Sequence, residues 1–154
     1  MELTSLNIRN PGLRFLPPGV ERYYVKGGGL SVIEVYPEDK IEIINDEGKQ
    51  SCEIIVFNSK GQSDLSILNL KKNSNADFSK KTISQDEKIS KLFKRKKFNL
   101  DRAKSSIIFD KDCVMGEKII LQSKDKCTVM LAAPGEPMNI HEQNPPTDLT
   151  VFLN

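Results

Sequence analysis

IEIINDEGKQSCEIIVFN, residues 41–58, holds two apolar runs, Ile41–Ile44 and Ile54–Phe57, around the polar break Asn45-Asp46-Glu47-Gly48. Each run has strand length and strand composition, and the break has turn chemistry. The stretch reads as a hairpin, and Gln50, Cys52 and Glu53 are the residues a plain hairpin would not choose. In a strand, Ser51 and Glu53 share one face while Gln50 and Cys52 share the other. A carboxylate set directly before Ile54-Ile55-Val56 has to pair, neutralise or face a cavity. Asp46, Gln50 and Glu53 are therefore a candidate pocket, with Glu53 as its candidate site carboxylate. The alternative is that Glu53 makes a salt bridge or hydrogen bond that holds the fold.

The same signal repeats on both sides. Glu21–Lys26, Leu30–Tyr36 and Lys40–Ile44 precede the second run of the opening stretch, which as a strand covers Glu53–Phe57. Ser105–Phe109, Glu117–Leu121, Cys127–Ala132 and the closing TDLTVFLN follow it. Short strands at roughly ten-residue spacing with turn residues between them predict an antiparallel meander, sandwich or barrel. The fold expected is mainly β, a small barrel or sandwich of seven or eight strands.

Between the two groups of strands the composition changes. Residues 58–84 are rich in Asn, Ser, Lys and Asp and read as a mobile surface loop, with a short helical turn at DLSILNL, 64–70. One flanking helix is predicted near 85–97. Ser84 and Glu87 have capping-box spacing. Ile89, Leu92 and Phe93 make one apolar stripe, and Lys94, Arg95, Lys96 and Lys97 sit where the helix dipole favours cations. Residues 1–20 carry Pro11, Pro17 and Pro18 and read as an irregular lead-in.

Composition bounds the function classes. A chain of 154 residues with 29% charged and 38% hydrophobic residues suits one globular domain with its own core. A net charge of +2 argues against nucleic acid as the main partner. The apolar runs fall far short of a membrane span, and MELTSLNIRN lacks the apolar centre of a signal peptide. A cytoplasmic location is expected.

Three cysteines, Cys52, Cys113 and Cys127, without a C-x-x-C pair argue against a disulfide framework and for buried thiols. The single histidine, His141, excludes a multi-histidine metal site, and no metal is expected. Cys113, Cys127 and His141 are evenly spaced, but the tight ligand pairs of zinc sites are missing. A cysteine nucleophile needs a base, and nothing in the sequence ties His141 to a thiol. Glu53, Cys113 and Cys127 are thus weak catalytic candidates. The glycines Gly27–Gly29 precede a strand, not a helix, so they read as a turn rather than a phosphate cradle. The basic run Lys91–Lys97 reads as a solvated helix face.

Two segments, 17–58 and 107–154, together carry a resemblance. The first has Asp39, Asp46, Glu47, Gly48, Gln50, Glu53, Phe57 and Asn58 in the order found at the opening of the urea carboxylase-associated family. The second adds AAPGEPM, 132–138, and PPTDL, 145–149. Taken together they resemble the branch found as the N-terminal domain of aminomethyltransferase proteins similar to the T-protein of the glycine cleavage system. The resemblance implies an accessory, non-catalytic domain at the N-terminal side of a longer protein. Its partner would be the C-terminal catalytic domain of that protein. It also implies no cofactor in this domain, with tetrahydrofolate and one-carbon chemistry belonging to the catalytic part. A chain stopping on an apolar strand fits that expectation. Enzymatic members of the family carry a GxHDxxxGxC-type segment, and nothing of that kind occurs between 100 and 154. The alternatives are a stand-alone enzyme acting on a urea- or guanidine-like compound, and a ligand-binding or interaction module using the basic helix.

Overall fold

The computed structural model of the chain describes residues 19–110, 112–135 and 146–154. Most of the lead-in, the second half of APGEPM (133–138) and His141 lie outside them. Eight strands form where the alternating pattern predicts them: β1 Glu21–Val25, β2 Leu30–Val35, β3 Lys40–Asn45, β4 Cys52–Phe57, β5 Ser106–Ile108, β6 Glu117–Gln122, β7 Cys127–Ala132 and β8 Leu149–Leu153. They build two antiparallel sheets, ordered β1-β8-β3-β6 and β2-β7-β4-β5.

The connectivity is not a meander. Six of the seven strand-to-strand connections pass from one sheet to the other, and β4 to β5 alone stays within a sheet. This is the winding of a double-sheet jelly roll, a sandwich rather than a closed barrel. The stretch 41–58 is accordingly not a hairpin. β3 pairs with β6 and β8, while β4 pairs with β7 and β5. Residues 46–51 carry the chain across the sandwich. The alternation of each run shows which side chains turn inward, but not which strand lies beside it.

The two runs also differ in burial, and the difference positions everything that follows. β3 alternates, with Ile41, Ile43 and Asn45 buried and Lys40, Glu42 and Ile44 less so. β4 is buried at all six positions. Cys52, Ile54 and Val56 face the core between the sheets, with Val35, Ile43, Val129 and Val151. Ile55 and Phe57 face the other way, into a second apolar cluster with Met130, Ile83 and Phe93. A strand covered on both faces reads as a continuous apolar run.

The cover on that second face comes from the long β4–β5 connection. Residues 58–84, expected as a loop with a short helical turn at 64–70, contain that turn as a 3-10 helix at Leu65–Leu68, and in addition helix α1 at Asp77–Ser84. Helix α2 follows at Glu87–Lys96, so two helices flank the sheet rather than one. The 3-10 turn inserts Leu65, Ile67 and Leu68 into the core between the sheets. Phe57 stacks on Phe98 at 4.6 Å between ring centroids and meets Phe93 edge-on at 6.1 Å. Aromatic pairs of this kind add about 1 kcal/mol each beyond the area they bury.

The cap of α2 also differs from the expected box. Asp86 accepts the Lys88 and Ile89 backbone N–H groups at 3.0 and 3.2 Å. Ser84 instead ends α1 and donates to the Lys81 carbonyl. Aspartate one residue before Glu87 is the better-placed N-cap acceptor. Lys97 closes the helix in the left-handed conformation, φ 59°. Among the described residues no helix is long and apolar enough to cross a membrane.

Candidate functional site

Asp46, Gln50 and Glu53 lie within eight residues of each other in sequence, yet they turn to three different parts of the structure. Asp46 accepts the Thr150 hydroxyl at 2.7 Å and so ties the end of β3 to β8. Gln50 is 5% exposed. Its amide nitrogen donates to the Ser51 and Pro134 carbonyls, both at 2.8 Å, and its amide oxygen accepts the Thr147 N–H at 2.8 Å. The Gln50 amide thus binds backbone groups from three separate stretches of chain, at Ser51, Pro134 and Thr147.

Glu53 shares the face of β4 that carries Ile55 and Phe57, opposite Cys52. It is 2% exposed, and Oε1 accepts the backbone N–H of Ser79 at 3.0 Å. Ser79 is the third residue of α1, whose N-cap position is Ala76, a residue with no side-chain acceptor. The first N–H groups of a helix have no partner within it, and its N-terminus carries partial positive charge. A carboxylate from the adjacent strand therefore fills the place a capping side chain would take.

The cysteines are structural in setting. All three are free and buried. Cys52 is fully buried, and that burial, with the adjacent Glu53 carboxylate second, pushes its thiol far above the ordinary range. Burial also raises Cys113, followed by its hydrogen bond with Glu117, while the Asn45 amide works against both. Burial raises Cys127 too, against a hydrogen bond with Ser123. A thiol held protonated is a poor nucleophile and a poor metal ligand.

These thiols do not meet Glu53. Cys113 and Cys127 face the core between the sheets, and the sheet containing β4 separates that core from the face bearing Glu53. Nor do they meet each other. Cys113 lies beside Asn45, near the Cys52 end of the sandwich. Glu53 pairs with Ala132 and Phe57 with Thr128, which puts Cys127 at the opposite end of the strands. Five residues of strand correspond to about 16 Å. Among the described residues no group of three His, Cys, Asp or Glu side chains is placed to hold a metal ion.

Asn45 is the buried polar group that sequence reasoning missed. It is fully buried, donating to the Gln50 carbonyl at 2.6 Å and to Cys113 Sγ at 3.3 Å. The signal was present: Asn45 continues the inward series Ile41, Ile43. The turn-forming reputation of Asn-Asp-Glu-Gly concealed it. Asn45 and Gln50 thus make one hydrogen-bonded node joining β3, the 46–51 crossover, the loop after β5, and the segments at Pro134 and Thr147. Its chemistry is that of a structural clamp. It presents amides and a protonated thiol, and that thiol is hydrogen-bonded to Glu117.

Elsewhere a groove of about 440 Å³ opens on the surface, where Glu38, Leu68, Asn69, Gln122 and Lys124 contribute to the walls. None of Asp46, Gln50, Glu53, Cys113 and Cys127 lines it. The basic residues of α2, Lys91, Lys94, Arg95 and Lys96, are exposed.

No protein-family model matches the chain. Over 150 residues it is 30% identical to the trimethylamine-oxide aldolase of Ruegeria pomeroyi, an alignment that takes in 95% of this chain and 19% of that protein. The chain thus spans about a fifth of the length of the curated relative it matches.

Proposed function

We propose that this chain acts as an accessory, non-catalytic β-sandwich domain of a larger enzyme of the aminomethyltransferase-like kind, related to trimethylamine-oxide aldolase. The observation that carries the reading is the alignment itself, which uses nearly the whole of this chain and only 19% of the relative. The use of the buried polar groups supports it. Glu53 caps a helix, Gln50 clamps backbone segments, and the thiols are held protonated in the core. Glu53 and Gln50 are thus engaged in holding the fold. The domain would pack against the catalytic part, shape access to it or mediate assembly, and any tetrahydrofolate would be bound by the catalytic part.

The test is an assay of the purified 154-residue chain for turnover of trimethylamine oxide and for binding of tetrahydrofolate. Neither is expected from the chain alone. Turnover by the isolated chain, lost in Glu53→Gln with the fold intact, would overturn the reading in favour of a stand-alone enzyme.

A further inference from the structure

Strand β6 forms one edge of its sheet and pairs, among the described residues, with β3 alone. The direction of its backbone groups follows from the register. Lys40 exchanges both backbone hydrogen bonds with Asn154, at 2.8 and 2.9 Å. The even-numbered residues of β3 therefore face β8, and Ile41, Ile43 and Asn45 face β6. Their partners Leu121, Ile119 and Glu117 face inward in turn. The backbone groups of Lys118, Ile120 and Gln122 are left turned to the open edge. Lys124 has the same parity, and its N–H points outward to the Ile67 carbonyl at 3.1 Å. The 3-10 turn thus closes the edge at that end, and the groove runs beside the part left open.

An edge of this kind is a template for another strand, and proteins that keep it unpaired blunt it with charge, proline or a bulge. β6 has no proline, and Lys118, its one cation, is held at 3.1 Å by Glu42 of the same sheet. Ile120, at the centre of the open stretch, is 59% exposed.

We infer that β6 pairs antiparallel with β6 of a second copy of this chain, about a two-fold axis at Ile120. That axis alone pairs all three outward-turned residues with one another. Ile120 lies opposite its own copy, and Lys118 lies opposite Gln122 in both directions. Those positions exchange paired hydrogen bonds, and Ile119 lies opposite Leu121 between them. Glu117 falls opposite Ser123. No like charges are opposed, the two exposed isoleucines cover each other, and the two four-stranded sheets become one of eight. A self-complementary patch is what a closed two-fold interface requires.

Sedimentation velocity across a wide concentration range tests this on the wild-type chain, Ile120→Lys and the control Tyr24→Lys. Tyr24 is exposed on β1, at the other edge of the same sheet. The wild type and Tyr24→Lys are expected to be dimers. Ile120→Lys is expected to be a monomer with unchanged circular dichroism and a melting temperature that no longer depends on concentration. Ile120→Cys is expected to form a disulfide-linked dimer under mild oxidation, because the native thiols are buried and Cα atoms in such a pair lie about 5.5 Å apart. A wild type that stays monomeric, a dimer that survives Ile120→Lys, or a failure of Ile120→Cys to cross-link would overturn the inference. So would a dimer lost in Tyr24→Lys alone, which would place the contact on the other edge.

Discussion

Glu53, on a strand, accepts the backbone N–H of Ser79, on a helix, at 3.0 Å. The two residues are 26 apart in sequence, and the bond joins the sandwich to the layer that covers it. Helix α1 enters through Ala76 in the left-handed conformation, φ 60°, with no cap of its own. The strand thus supplies the acceptor that the helix sequence omits.

Removing that acceptor should show how much the cap contributes. Glu53→Ala leaves the Ser79 N–H without a partner in a buried setting and should destabilise the fold by about 2 kcal/mol or more. Glu53→Gln keeps an amide oxygen as acceptor and loses only the charge facing the helix dipole, at a cost of about 1 kcal/mol. Urea unfolding of the three proteins measures both. Equal midpoints for all three would rule out the capping role.

Gln50 should be less forgiving. A glutamate there would set a carboxylate oxygen against the Ser51 and Pro134 carbonyls, where the amide now donates at 2.8 Å to each. Gln50→Glu should cost about 3 kcal/mol at neutral pH, more than Gln50→Ala, because an unpaired buried charge is worse than a lost hydrogen bond. Thermal melts of the two variants give the order. Gln50→Glu melting at or above Gln50→Ala would contradict it.

The crossover from β3 to β4 depends on Gly48. Its φ is +78°, and an added Cβ would stand 2.7 Å from the Cys113 carbonyl oxygen. Gly48→Ala should destabilise by about 2 kcal/mol or more through backbone strain and collision together. Gly116→Ala, also at positive φ but with nothing within 4 Å of the added carbon, should cost only the strain. Denaturation midpoints that do not separate the two would refute the steric part.

Alkaline pH should weaken the protein through its thiols. A cysteine whose pKa is raised on folding is more protonated when folded than when unfolded. Its stabilising contribution is present below the unfolded value, about 8.5, and is lost as pH rises beyond it. Cys52 remains protonated when folded, so by pH 10 it alone should account for a loss of about 2 kcal/mol. Tyr23, pushed up to about 12 chiefly by its hydrogen bond to Glu21, adds a further decline only above about pH 10. Unfolding free energies measured from pH 7.5 to 10 should fall, and Cys52→Ala should flatten the fall. An unchanged slope in that variant would remove Cys52 as its source.

Short apolar segments separated by turn residues determined by themselves that the chain is mainly β, with seven or eight strands. A short apolar run bounded by polar residues marks a strand whatever lies beside it, so Cys127–Ala132 was legible to the residue. Exposed basic positions on one helical face and the aliphatic stripe of α2 were legible for the same local reason. Partnership was not. Ile41–Ile44 and Ile54–Phe57 look like the arms of one hairpin, and only the competition of all eight strands for core faces sends them to opposite sheets. α1 escaped notice because Asp77–Ser84 buries only Ser79 and Ile83 and takes its cap from Glu53, a strand away. The carboxylate of Glu53 demanded a partner by its chemistry, and the sequence around it expressed that demand. Which partner met it was decided by where the β4–β5 connection folded back, because a helix terminus with unpaired N–H groups and a buried carboxylate satisfy each other at the least cost in desolvation.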